Sequence, residues 1–262
     1  LLAYVGSTFK NAIVIVNSAN AMALGALEST PGIDAVLLAG YTGQYGAEAL
    51  PKILRGEISP SGRTVDTYAY DFSSAPSYSS ASEHVGAYSS ADGLYPADGT
   101  QNGNFSLPEG YDQVSYVDYS EGIYVGYKWY ETADAEGFWD GVSNEHGTGY
   151  EGVVQYPFGY GLSYTTFDWK VIDSPAQGSR LDDGASITVR VTNTGTVAGL
   201  DVVELYYSSP YEAGGIEKSS VVLGDYAKTG LLAPGESEDV TLSVIARAMA
   251  SYDCYDSNGN GF

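Results

Sequence analysis

Cysteine and histidine are nearly missing from this sequence. Its 262 residues include one cysteine, Cys254, and two histidines, His84 and His146. A single thiol excludes an internal disulfide framework. Neither histidine has a metal-ligand partner at the usual spacing, so we expect no metal site.

Basic residues are also scarce. The chain carries 11 lysines and arginines against 33 aspartates and glutamates, which gives a formal net charge of −22. Because a polyanion would be repelled by this charge, nucleic acid is excluded as a partner. The acidity otherwise bears on solubility and not on fold.

Long apolar runs and short catalytic signatures are lacking as well. No run approaches the length of a membrane span, so we expect no membrane partner, and no signal peptide is visible. Both a bacterial cytoplasmic and a secreted location stay open. There is no G-x-S-x-G elbow, and the glycine-rich turn 40–46 lacks the Lys-Ser/Thr of a phosphate loop. The chain begins without Met, and we expect it to be a piece of a longer polypeptide.

Alternating strand and helix patterns fill the first part of the chain. The apolar runs Asn11–Asn17 and Ile33–Ala39 predict two buried parallel strands. Helical spacing predicts helices over Ala21–Glu28 and Ala47–Leu54, and Arg63–Thr67 reads as a further extended segment. These elements form two βαβ units, so the sequence predicts an open α/β sheet.

The middle and the end of the chain differ in character from this first part. Residues 71–113 are rich in Ser, Ala and Gly, which predicts a long irregular excursion of functional or mobile character. Regular structure returns at Tyr116–Glu131. Beyond Asp168 the pattern alternates, with strands predicted over Ile187–Asn193, Val202–Tyr207 and Val240–Ile245, as in a β-sandwich. We therefore place two domains, at 1–167 and 168–262.

Two motifs resemble family 3 glycoside hydrolases, the β-glucosidase and β-xylosidase group. The first matches the C-terminal sheet domain of that family through Tyr41, Gly43, Gln44, Gly46, Pro60, Ser61, Gly62 and Arg63. The second matches its Phe-Gly-x-Gly-Leu-Ser-Tyr segment through Phe158, Gly159, Gly161, Leu162, Ser163 and Tyr164. Further downstream, Val191–Gly195 and Pro234–Glu236 resemble the fibronectin type III-like domain of the same enzymes.

The resemblance implies a fold and a function. The fold is α/β plus all-β: part of a flavodoxin-like αβα sandwich, then a fibronectin type III-like β-sandwich clipped at its end. The intact protein would be a retaining, exo-acting β-glycosidase that hydrolyses terminal β-linked sugars of an oligosaccharide or glycoside, without a cofactor. Such enzymes use two carboxyl groups about 5–5.5 Å apart. In the family the nucleophile lies on a (β/α)₈ barrel and the acid/base, in many members, lies upstream of Asn11.

No catalytic residue is therefore assigned to this chain, and its first expected partner is the missing barrel of the same protein. Our substrate-pocket candidates are Glu121, Tyr119, Tyr88 and Tyr95. Glu121 is alternatively a structural carboxylate paired with Lys128. For a pair of Arg63 with Asp66 or Asp71, two interpretations stay open: a domain-interface pair and an ordinary contact within the fold, of which we favour the second.

Other interpretations stay open at this point. The segment Asp256–Gly261 fits both the start of a calcium loop and an ordinary hairpin turn, and we favour the turn. The whole chain could be a non-catalytic carbohydrate-binding or scaffold module. A third reading is a degenerate subunit that docks onto a separate barrel chain.

Overall fold

A computed structural model describes residues 1–78, 94–95, 100–101, 105–106, 114–115 and 121–253. The predictions that concern Cys254, His84 and the 256–261 segment lie outside these residues. In the described part, no group of three or more His, Cys, Asp and Glu side chains is arranged to hold a metal ion. No described helix has the length and apolarity needed to cross a membrane.

The first part of the chain is a small parallel α/β unit. Its elements are, in order, α1 (Leu2–Thr8), β1 (Ile13–Val16), α2 (Gly25–Ser29), β2 (Ala35–Leu38) and α3 (Ala49–Leu54). Strands β1 and β2 pair in parallel, with Ile13 opposite Ala35. The predicted parallel pair and its two helices are confirmed, although α2 is shorter than predicted and α1 was not predicted.

The prediction that these two strands are buried is wrong. Ile13 is 48% exposed, Ile15 is 40% exposed and Leu38 is 37% exposed. The physical reason is that β1 and β2 form a two-stranded sheet, and two strands with short helices cannot cover both faces of the pair. An apolar run shows only that a strand is stabilised by burial. Here the described neighbours leave these side chains partly exposed.

The prediction of a second βαβ unit is also wrong, because within the described residues no strand after Arg63 joins the parallel pair. The Thr64 amide donates to Tyr160 O at 2.7 Å, and the Gly159 amide donates to Thr64 O at 2.9 Å. Strand β3 (Tyr68–Ala69) then pairs antiparallel with β8 (Val154–Tyr156). The segment therefore bonds to residues about 90 positions further on and not to the parallel pair.

A helix and an aromatic cluster hold the end of this domain. Helix α4 (Tyr127–Ala135) buries Tyr130 and Ala133. These two residues share one apolar core with four others: Ala69, Trp139, Val153 and Val154. The predicted excursion begins with a 3-10 turn at Phe72–Ser74. Four two-residue strands are described within it and directly after it, paired as β4 (Leu94–Tyr95) with β7 (Val114–Ser115) and β5 (Thr100–Gln101) with β6 (Phe105–Ser106).

The last part of the chain consists of two antiparallel sheets. One contains β9 (Phe167–Asp173), β10 (Ala185–Asn193) and β13 (Ser237–Val244), and the other contains β11 (Val202–Tyr207) and β12 (Val222–Lys228). Both sheets contribute to one core: Val189, Val191, Val203, Leu232, Val240 and Leu242. The three strands predicted from alternation are confirmed, since alternate side chains of β10 and β13 point into this core.

Candidate functional site

The two sequence motifs, about 100 residues apart, contact each other directly. The hydroxyl groups of Ser59 and Ser163 lie 2.8 Å apart, and the Tyr164 amide donates to the Ser59 hydroxyl at 3.0 Å. The Thr64 hydroxyl donates to Pro157 O at 2.6 Å. The motif residues therefore form one structural junction, defined here as residues 59–64 with 157–164.

Two glycines make this junction close enough to form. A side chain at Gly161 would place its Cβ 2.3 Å from the carbonyl oxygen of Gly62. A side chain at Gly159, where φ is +80°, would meet the Glu204 carboxylate at a similar distance. The backbone approach at Gly161 excludes a side chain, and the positive φ of Gly159 favours glycine there. Packing and backbone conformation therefore explain the glycine spacing of the second motif.

Arg63 connects the junction to the two antiparallel sheets formed by β9 to β13, which are called the sandwich from here on. Its guanidinium donates to Gly161 O and to the Asp201 carboxylate, and the side chains of Arg63 and Asp201 are 18% and 4% exposed. The Trp169 indole donates to the other Asp201 oxygen at 2.8 Å. The predicted pairing of Arg63 with Asp66 or Asp71 is therefore wrong. Asp66 instead accepts a hydrogen bond from the Thr67 backbone amide, and Asp71 accepts one from the Ser73 backbone amide.

Side chains around helix α4 make a second set of contacts with the sandwich. The Leu223 amide donates to the Tyr127 hydroxyl at 2.9 Å, and the Ser220 amide donates to the Thr132 hydroxyl at 2.9 Å. The Tyr124 hydroxyl donates to Glu217. With Arg63, these contacts fix the α/β part against the sandwich.

The first half of the leading motif has a different position. The turn 41–46 follows the carboxyl end of β2, where open α/β sheets place ligands, and its Tyr41 is 88% exposed. Gly40 and Gly43 have φ near +60°, so the turn needs glycine for its backbone. No hydrogen bond joins this turn to the junction in the part of the chain that the structure describes.

Glu121 lies in an aromatic cleft beside α4. The cleft has a volume of about 470 Å³ and its walls include five aromatic side chains: Tyr78, Tyr124, Trp129, Phe138 and Trp139. Glu121 is 7% exposed, and its Oε2 is buried without a hydrogen-bond partner in the structure. No ion pair joins Glu121 to Lys128 in the part of the chain that the structure describes. A buried carboxylate with an unmet oxygen is costly unless a donor reaches it.

The grouping of the four predicted pocket residues stays a prediction, because the structure describes the side chain of Glu121 alone among them. Tyr88 and Tyr119 lie outside the described residues. For Tyr95 the structure gives only its backbone position in β4, opposite Val114. The walls Trp129, Phe138 and Trp139 were missed, and of these only Trp129 lies inside a segment that the sequence had singled out.

A second cleft of about 370 Å³ contains a tyrosine–histidine stack. The rings of Tyr70 and His146 are 3.7 Å apart and nearly parallel. The Tyr70 hydroxyl donates to Glu28 Oε2 at 2.9 Å, and the Gln155 amide donates to the same oxygen at 3.0 Å. Burial, followed by the hydrogen bond to Glu28 and its charge, raises the pKa of Tyr70 to about 12.

This raised pKa predicts a loss of stability in alkaline solution. The Tyr70 pKa is higher in the folded chain than its ordinary value of 10, so the stabilisation is complete below pH 10 and is lost as pH rises through about 12. We expect Tyr70→Phe to reduce the difference in unfolding free energy between pH 9 and pH 11.5. Titration of ¹³Cζ-labelled tyrosine by NMR checks the value, and Glu28→Gln should move it toward 10. A Tyr70 that titrates at its ordinary value in the unsubstituted chain would contradict the prediction.

Residues 1–127 match the family model for the glycosyl hydrolase family 3 C-terminal domain. The chain is similar to beta-glucosidase A of Butyrivibrio fibrisolvens, with 35% identity over 260 residues, covering 95% of this chain and 26% of that protein. It is also similar to a beta-glucosidase of Ruminococcus albus, with 32% identity over 264 residues, 100% of this chain and 22% of that protein.

A solved structure gives the same result. The crystal structure of a beta-glucosidase from Paenibacillus barengoltzii matches with a TM-score of 0.72 and 32% identity, covering 98% of this chain and 23% of that one. The chain thus spans about a quarter of the length of these relatives. Family model, relatives and structure agree in what this chain is similar to: residues 1–127 match the C-terminal domain of glycosyl hydrolase family 3, and nearly the whole chain is similar to beta-glucosidases.

Proposed function

We propose that this chain is the C-terminal part of a retaining, exo-acting β-glycosidase of the β-glucosidase or β-xylosidase type. The observation that carries the proposal is similarity to proteins named beta-glucosidases over nearly the whole chain, at 35% and 32% identity. In this proposal the intact protein hydrolyses terminal β-linked sugars of oligosaccharides or glycosides. Both catalytic carboxylates, and the (β/α)₈ barrel, belong to the remainder of that protein.

The fold assignment is refined in the same proposal. The α/β part, residues 1–167, is a section of a flavodoxin-like αβα sandwich, and residues 168–262 are a fibronectin type III-like sandwich. The parallel pair β1–β2 and the two sheets that share one core support this assignment. The exposed apolar residues of β1 and β2 are consistent with a face that the rest of an αβα sandwich would cover.

The role proposed for this piece is support of the barrel. The buried Asp201 carboxylate accepts hydrogen bonds from Arg63, Trp169 and the Val202 amide, which favours a structural role for it. Gly161 of the second motif permits close backbone packing against Gly62. These features favour a scaffold that presents surfaces to a neighbouring domain.

Hydrolysis of nitrophenyl β-glucoside and β-xyloside tests the proposal. We expect the full-length gene product to hydrolyse at least one of them and the 262-residue chain alone to be inactive. Activity of the isolated chain would overturn the assignment of both catalytic carboxylates to other parts of the protein. Inactivity of the full-length product on both glycosides would overturn the proposed activity.

A non-catalytic carbohydrate-binding module is the second candidate function. The five aromatic side chains of the Glu121 cleft are the observation that favours it, because aromatic ring faces stack on sugar rings, whereas the single unmet acceptor of the same cleft favours a cation, as argued below. Calorimetric titration of the chain with glucose and cellobiose distinguishes the two. Saturable binding by the isolated chain, with no hydrolysis by the full-length product, would support the module.

A further inference from the structure

The aromatic cleft at Glu121 contains one buried carboxylate oxygen that lacks a hydrogen-bond donor. The Glu121 carboxylate is more than nine-tenths buried, lines the cleft, and leaves Oε2 without a donor in the structure. Carboxylate oxygens accept hydrogen bonds and donate none. The missing group is therefore a hydrogen-bond donor, and a positively charged donor satisfies a buried anion best.

The other polar groups of the cleft walls are largely occupied. The Trp129 indole donates to Ser74 O at 2.8 Å, and the Trp139 indole donates to Tyr130 O at 3.3 Å. The Tyr124 hydroxyl donates to Glu217. What the cleft offers a ligand is thus mainly aromatic surface, including the exposed ring of Phe138, together with one anionic acceptor.

These features discriminate between two kinds of ligand. A sugar ring carries several hydroxyl groups, and each one loses its water on entry and needs a partner in the cleft. A planar cation needs aromatic faces and a carboxylate, which are the groups that this cleft presents. A guanidinium meets both demands at once, since it stacks on aromatic rings and donates through a flat fork of N–H groups.

We propose that the Glu121 cleft binds the guanidinium group of an arginine side chain, presented by a segment of the same protein that lies outside these 262 residues and docks on this face. Charge complementarity supports this occupant, because the chain carries a net charge of −22 and its own 11 basic residues leave Glu121 unpaired in the described structure. The relatives are about four times as long as this chain, which provides ample polypeptide for such a segment. The proposal does not depend on the glycosidase activity.

Two matched ligands test the charge requirement. The 262-residue chain is titrated with N-acetyl-L-argininamide and with its neutral isostere N-acetyl-L-citrullinamide, and tryptophan fluorescence reports binding because Trp129 and Trp139 line the cleft. We expect saturable binding of the argininamide and at least tenfold weaker binding of the citrullinamide. Equal binding of the two, no binding of either, or tighter binding of glucose or cellobiose overturns the proposal.

Matched variants test the place of binding. Glu121→Gln keeps the size of the side chain and removes its charge, and we expect at least tenfold weaker binding. Glu212→Gln makes the same change at an exposed position and should leave binding unchanged. Phe138→Ala alters an exposed wall residue, so it tests the cleft even if Glu121→Gln does not fold, and it should also weaken binding. Unchanged binding in Phe138→Ala, or in a folded Glu121→Gln, overturns the site.

The full-length gene product tests the proposed occupant. Where a protein segment already places an arginine in the cleft, added N-acetyl-L-argininamide should no longer give a saturable signal. Saturable binding that is as tight as in the 262-residue chain would overturn the docking of a segment of the same protein. Because this readout is binding and not hydrolysis, its failure is distinct from failure of the glycosidase proposal.

Discussion

Arg63→Ala is expected to lower the free energy of unfolding by about 3–5 kcal/mol. The substitution leaves the Asp201 carboxylate, which is 4% exposed, without its cationic partner. It also removes the donor to Gly161 O, so one residue withdraws support from both the junction and the sandwich. Urea unfolding of the chain, followed by circular dichroism and by tryptophan fluorescence, measures the change.

An exposed arginine in the same chain provides the control. Arg190 forms a two-pronged pair with Asp239 at 2.7 and 2.8 Å, but on the surface. Because solvent screens such pairs, we expect Arg190→Ala to have a much smaller effect than Arg63→Ala. Equal losses in the two variants would contradict the view that burial of the Arg63 pair determines its contribution.

Asn193→Ala is expected to cost about 3–5 kcal/mol, because it leaves several buried groups unsatisfied at once. Asn193 is fully buried and its amide donates to Val197 O and Leu232 O, both at 2.8 Å. Its carbonyl oxygen accepts from the Thr165 hydroxyl at 2.6 Å and from the Gly195 amide at 3.0 Å. Thermal and urea unfolding measure the loss.

Thr188→Ala serves as the comparison for Asn193→Ala on the same strand. The Thr188 hydroxyl shares an exposed hydrogen bond with Thr241 at 2.9 Å. Water replaces that bond when it is removed, so we expect an effect below about 1 kcal/mol. A loss at Asn193 as small as the loss at Thr188 would show that the buried amide is replaced by water or by relaxation of the loop.

Local patterns predicted the strands of the last part of the chain well. Strand β10 alternates apolar and polar residues, and its Val189 and Val191 lie in the core as the alternation requires. Burial of β1 and β2 was not predictable in the same way, because a continuous apolar run such as Ile13–Val16 shows only what the strand prefers. Whether neighbours cover it depends on the other strands of the sheet.

Long-range pairs explain most of the remaining errors. Arg63 has two acidic residues nearby in sequence, Asp66 and Asp71, yet it pairs with Asp201. Charge and spacing cannot reveal such a partner, because many aspartates in this acidic chain are equivalent by sequence alone. The cleft was predicted only through Glu121, since Phe138 and Trp139 carry no signal beyond their aromatic character.

The contact between Arg63 and Asp201 joins residues that are 138 positions apart. Bringing residues so far apart together is slow, because the conformational entropy of the intervening chain is lost before the Arg63–Asp201 ion pair forms and stabilises the fold. We therefore expect the pair to form after the folding transition state. Its removal should speed unfolding while leaving the refolding rate nearly unchanged. The junction would thus contribute to kinetic stability, by slowing unfolding.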